Sequence, residues 1–179
     1  MPNAAPCPDL APDCSRCDAL CCVLLAYDAS QAFALDKPAC VACRHLGADN
    51  ACGIHADLPG QGFAGCAVYT CYGAGQRITE QVFKGRSWRA DPALMPALAD
   101  AFRSLRKVHE AVWLVQQAAC LPLTPAQDQR RQDLLRGLNA GQDWSEAGLN
   151  APEQGEALKA VRRFLASLRD LPAVTPRRR

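Results

Sequence analysis

The sequence predicts a mainly α protein in two halves. The first is cysteine-rich, irregular and metal-stabilised, and a small three-helix bundle follows it. Three observations predict this. Ten of the 11 cysteines fall between Cys7 and Cys71. From Asp91 onward, apolar residues recur at helical spacing. Three successive segments in that second half open on a capping residue with a proline just inside. The expected divisions are a flexible leader over 1–12, a cysteine-rich region over 13–89, a helical region over 90–172 and a basic tail over 173–179.

The first expected element is a short helix over Asp13–Leu25, capped by Asp13. In it Cys14, Cys17 and Cys21 stand at i, i+3 and i+7 and share one face, with Cys22 turned about 100° away. Loops are expected beyond it. Residues 59–66 (Pro-Gly-Gln-Gly-Phe-Ala-Gly-Cys) and 72–76 (Tyr-Gly-Ala-Gly-Gln) read as irregular backbone. Residues 78–83 suit a strand or the start of a helix, and Lys84-Gly85-Arg86-Ser87 a turn before Trp88. Asp91-Pro92 then opens a long helix in which Leu94, Leu98, Phe102, Leu105, Val108, Val112 and Val115 recur to about Ala119. Thr124-Pro125-Ala126-Gln127 is a capping-box pattern and starts a second helix through Leu134, Leu135 and Leu138, ending near Gly141. Asn150-Ala151-Pro152-Glu153 starts a third, with Leu158, Val161, Phe164, Leu165 and Leu168 inward and Pro172 as its stop. Three amphipathic helices make a small bundle.

The 179 residues suit one domain, or a small domain with an appendage. A net charge of +2 gives no argument for a nucleic-acid partner. The charge is uneven, however. Residues 1–71 hold seven Asp, no Glu and three basic residues, whereas 72–179 hold 17 basic and 11 acidic residues. The cysteine-rich half is therefore a place for a cation rather than an anion. The chain starts without a basic n-region or an apolar h-region, so no signal peptide is visible. The apolar run Cys21 to Tyr27 is far short of the roughly 18–20 residues that span a bilayer. These features predict a cytoplasmic protein with no membrane partner. In that compartment clustered cysteines bind metal or do redox work more often than they form disulfides, and the odd total of 11 fits no closed disulfide framework.

The ligand pool is Cys14, Cys17, Cys21, Cys22, Cys43, Cys52, Cys66 and Cys71, with His55 and Cys40 as further candidates. Metal needs thiolates that converge from separated segments, and this region supplies them in groups. Zinc suits the two Cys-x-x-Cys pairs, 14/17 and 40/43. An iron–sulfur cluster suits Cys14, Cys17 and Cys21 with a fourth cysteine from downstream. Copper(I), a soft ion, suits thiolate rows on a helix. Spacing alone does not separate the three. The remaining cysteines, histidines and tyrosines are expected to be structural. Cys120 is expected to be a small buried hydrophobe, Cys7 a bystander in the leader, His45 and His109 structural, and Tyr69 and Tyr72 packing residues. Gly73-Ala74-Gly75 lacks the strand–helix frame and the following Lys of a phosphate loop. Arg177-Arg178-Arg179 reads as a solvated end.

Cys14-x-x-Cys17-x-x-x-Cys21-Cys22, Cys43-x-x-Leu46, Cys52-x-Ile54-His55, Leu58-Pro59 and Cys66 together resemble the bacterial zinc- or iron-chelating family named for its Cys-x-x-Cys-x-x-Cys-Cys motif. His55 stands where that family usually has Tyr, Leu58-Pro59 where it has Arg-Pro, and the first spacing is one residue longer. Asp13–Cys22 and Gly62–Gln76 are also similar to the cysteine-rich N-terminal region of some bacterial pentapeptide-repeat proteins, although no such repeats follow here. The resemblance covers roughly residues 13–89. One branch of the chelating family, related to flagellin lysine N-methylases, is associated with an iron–sulfur cluster. The resemblance therefore implies an iron–sulfur cluster, or another iron centre, with a redox, sensing or maturation role. The alternatives are a structural zinc module that binds a protein partner through its helices, a copper(I)-thiolate protein, and a thiol-redox or methyltransferase-like enzyme using Cys40. No nucleophile–base pair or cofactor fingerprint supports the last, and no catalytic residue is identified.

Overall fold

The computed structural model describes residues 9–139, 145–149 and 151–171. Most of the expected leader, Cys7, the end of the second expected helix at Gly141, the Asn150 cap, Pro172 and the basic tail lie outside them. The chain is mainly α. Seven α-helices are described: α1 (Leu20–Leu24), α2 (Ala64–Val68), α3 (Ala74–Arg77), α4 (Met95–Gln117), α5 (Pro125–Asn139), α6 (Glu146–Leu149) and α7 (Pro152–Ala166). Among the described residues the only β-pairings are two isolated bridges, Tyr27 with Lys37 and Leu46 with Cys52.

Helix α4 is the spine. Its 23 residues rise over about 34 Å, and its apolar stripe serves two cores in turn. Leu98, Ala101, Phe102 and Leu105 meet Leu20, Val23 and Leu24 of α1, with Ala74, Ile78, Val82, Phe83 and Leu149. Further along, Val108, Val112 and Val115 meet Leu134 and Leu138 of α5 and Val161, Phe164 and Leu168 of α7. Helices α4, α5 and α7 contact one another pairwise. The caps predicted at Asp91 and Thr124 form. Asp91 Oδ1 accepts from the Ala93 amide at 3.1 Å, with Pro92 starting the turn. Thr124 Oγ1 accepts from the Gln127 amide at 3.3 Å, while Gln127 Oε1 accepts from the Thr124 amide at 2.8 Å, which is the reciprocal box.

Three local expectations are corrected, and one open choice is resolved. No continuous helix runs over Asp13–Leu25. Asp13 caps only a 3-10 turn over Cys14–Arg16, Cys17 is extended (φ −117°, ψ 140°), and Ala19 is left-handed (φ 55°) before α1 begins. The cysteines at i, i+3 and i+7 therefore share no helix face; a knuckle separates Cys17 from Cys21. The segments 59–66 and 72–76, read as irregular, each contain the start of a helix, Ala64–Val68 and Ala74–Arg77. The glycines that suggested loops have other uses. Gly73 (φ 72°) supplies the left-handed entry to α3, and Gly75 allows close packing beneath it. Residues 78–82 resolve the strand-or-helix choice as one wide helical turn continuing α3. Cys120 is exposed rather than buried, because it sits on the closing 3-10 turn after α4, past the apolar stripe.

Candidate metal centre

Cys14 and Cys17 are held by α3 and the wide turn after it. Buried Gln76 accepts from the Asp13 amide (3.2 Å) and donates to the Ala11 carbonyl (2.8 Å). Thr79 Oγ1 accepts from the Asp18 amide and donates to the Gly75 carbonyl, both at 3.0 Å. Arg16 forms a two-pronged pair with Glu80 at 2.7 and 2.6 Å. Cys17 and Cys71 meet over Gly75: a β-carbon built there would stand 2.5 Å from Cys17 Sγ and 3.9 Å from Cys71 Sγ. Cys17, Cys21 and Cys71 all pack against the first core.

A second frame holds the other cysteines. The Cys43 amide donates to the Cys22 carbonyl at 3.0 Å, and the Leu46 amide to the Cys43 carbonyl at 3.0 Å. Leu46 bridges to Cys52, and the His55 amide donates to the Cys52 carbonyl at 3.1 Å. Tyr27 Oη lies 3.5 Å from Cys43 Sγ. The Tyr27 ring stacks on Phe33 (4.3 Å) and meets the edge of Phe63 (6.2 Å), three residues before Cys66. His45 packs on Phe63 at 5.0 Å, the structural role expected of it. Asp18 joins the frames. Its carboxylate accepts from Asn50 Nδ2 (2.9 Å) and the Trp88 amide (3.3 Å), and its carbonyl from Trp88 Nε1 (2.9 Å).

Lys37 is the residue that sequence reasoning missed. It is 4% exposed, and its ammonium donates to the carbonyls of Val23 (2.9 Å), Leu25 and Pro38 (3.1 Å). It lies 5.7 Å above the Tyr27 ring centroid. Burial lowers its pKa, and nearby Cys43, Cys22, Cys40 and Cys21 oppose that shift. A buried cation requires anionic company, and here the nearby groups that can supply it are thiols. A lone lysine in an Asp-Lys-Pro loop gives no sign of this in the sequence.

The thiols perturb one another. Cys21 Sγ and Cys22 Sγ lie 4.0 Å apart; their hydrogen bond, against the opposing cost of burial and with Lys37 assisting, lowers the Cys22 pKa to about 7. The same bond, with burial, pushes Cys21 well above the ordinary thiol value. Cys17 is raised to about 11, chiefly by burial and then by Cys71 and Cys14. Burial also raises Cys14, Cys52 and Cys66. A cation among these sulfurs would offset their mutual repulsion.

All ten described cysteines are free. The eight expected ligands lie in these two adjoining frames, but their side chains are not gathered. Among the described residues no group of three Cys, His, Asp or Glu forms a metal-holding cluster. Cys40 and His55 are exposed. An open cavity of about 310 Å³ is lined by Tyr27, Lys37, Val41 and Cys43, among others, without Cys40. Among the described residues no helix is long and apolar enough to cross a membrane.

No family model matches the chain, and no solved structure matches it. Over 115 residues it is 38% identical to the uncharacterized protein YybG of Bacillus subtilis (strain 168). The match covers 64% of this chain and 41% of that protein, so the chain matches well under half of its relative's length.

Proposed function

We propose that this chain is a cytoplasmic metal-binding protein holding an iron–sulfur cluster, or another iron centre, through Cys14, Cys17, Cys21, Cys22, Cys43, Cys52, Cys66 and Cys71. Its role is redox, sensing or maturation of a partner. The helical half, a small three-helix bundle, is the scaffold and the docking surface for that partner. One observation carries the reading. Over residues 26–70, Lys37, Leu58 and Phe63 are the buried residues. Two buried apolar side chains, at about 1.5–3 kcal/mol each, are too few to offset the entropy of ordering a segment that long. That segment nonetheless carries Cys40, Cys43, Cys52 and Cys66, and segments of this kind are held by disulfides or metal.

The donor chemistry fits. The thiols are soft donors, they come from four separated stretches, and the buried Lys37 ammonium lies near them. An iron–sulfur cluster would supply one-electron exchange when bound; the chain's own residues orient the thiols and shield them. The test is metal content. Cys17→Ser and Cys21→Ser should both lose metal, and full retention in both would contradict the proposal. The same lack of core favours a second reading, a structural zinc module. It requires a colourless protein that unfolds with chelator, and a coloured, zinc-free protein rules it out.

A further inference from the structure

We infer that the eight thiols form two four-thiolate sites, Cys14/Cys17/Cys21/Cys71 and Cys22/Cys43/Cys52/Cys66, with the vicinal pair giving one sulfur to each. This rests on the metal-binding reading above and deepens it.

The packing divides the cysteines this way. Cys17, Cys21 and Cys71 lie against the first hydrophobic core, and Cys14 is one 3-10 turn from Cys17, whose amide donates to the Cys14 carbonyl at 3.3 Å. Cys17 and Cys71 meet over Gly75. Cys22, Cys43 and Cys52 are linked by backbone hydrogen bonds through Leu46, and Cys66 follows the Phe63 ring that packs on Tyr27, itself in contact with Cys43. Lys37 lies beside the second set.

Five described non-glycine residues have positive φ: Cys40 (58°) and Lys84 (52°), which adjoin neither set, and Ala19, Asn50 and Tyr72 (55°, 64° and 50°), which do. Ala19 separates Cys17 from Cys21, Asn50 precedes Cys52 by two residues, and Tyr72 follows Cys71. Strain of this kind collects at functional sites. Four thiolates are the complement of one zinc ion or one iron–sulfur cluster. Cys40 and His55 belong to neither set.

The test compares the full chain with Cys17→Ser, Cys52→Ser and the double variant, all purified without oxygen. Iron, zinc and acid-labile sulfide per chain should fall to about half in each single variant and to background in the double variant. Cobalt(II) titration of the metal-depleted chain should show two equivalents with thiolate charge-transfer absorption, and one in each single variant. Cys71→Ser and Cys66→Ser repeat the comparison where a first variant does not fold, as judged by far-UV circular dichroism. One cobalt equivalent in the unaltered chain, or complete loss in every single variant, overturns the division but leaves metal binding standing. No metal on purification together with no cobalt binding overturns the metal reading itself.

Discussion

His109 Nδ1 donates to the Tyr72 carbonyl at 2.6 Å, so the middle of α4 fixes the backbone of the residue after Cys71. His109 is fully buried. Burial lowers its pKa to about 4, and Arg77 contributes in the same direction. Because the folded value lies below the ordinary one, the unfolded chain binds more protons between them. Stability from this group is present above about pH 6.5 and is lost as pH falls towards 4, by on the order of 3 kcal/mol. Urea unfolding across that range should show the loss, and His109→Gln should flatten it. An equally steep loss in the variant would contradict the assignment.

Lys37→Met should leave the carbonyls of Val23, Leu25 and Pro38 without the donor they share. Each buried acceptor left unsatisfied costs about 1–3 kcal/mol. Hydrogen exchange should quicken at the backbone amides of Tyr27 and position 37, which bond each other's carbonyls, while α5 and α7 stay protected. Uniform quickening through all helices would argue against a local role.

Gly75→Ala places a methyl 2.5 Å from the Cys17 sulfur. Cys17 must turn away from Cys71. Metal content should fall by about half, with the far-UV circular dichroism of the helices unchanged. Full metal content in this variant would mean that the meeting of Cys17 and Cys71 over Gly75 has no part in binding.

Asp18→Ala removes the acceptor for Asn50 and for the Trp88 amide. Leaving those donors unpaired should cost about 1–3 kcal/mol, read as a lower urea midpoint. Thr124→Ala, which breaks the box at the start of α5, should cost about 0.5–2 kcal/mol without altering metal content. A change in metal content there would couple the halves more tightly than the packing implies.

The helical half was legible because its signals are local. Asp91-Pro92 and Thr124 to Gln127 carry their own caps, and the apolar stripe of α4 repeats often enough to be read. Helix α6 was not foreseen; four residues hold too little periodicity, and Leu149 earns its place only by packing in the first core. The knuckle at Ala19 was missed because Cys14, Cys17 and Cys21 have helical spacing and alanine usually favours helix. Long-range contacts to Gln76 and Thr79 override that preference. The crowding of thiols over residues 14–71 was legible in the sequence, whereas the approach of Cys17 and Cys71 to Gly75 was not, since it depends on the packing of α3. Lys37 was invisible for the same reason: its role comes from three carbonyls distributed over residues 23–38.

Metal and acid-labile sulfide analysis, with a visible spectrum, on the protein purified without oxygen decides whether these thiols hold an iron–sulfur cluster. The expected result is a brown protein with iron and roughly equimolar acid-labile sulfide. A colourless protein containing zinc would contradict the iron–sulfur assignment and make the cysteine-rich half a structural module. A protein with neither metal would contradict the claim that these thiols hold one.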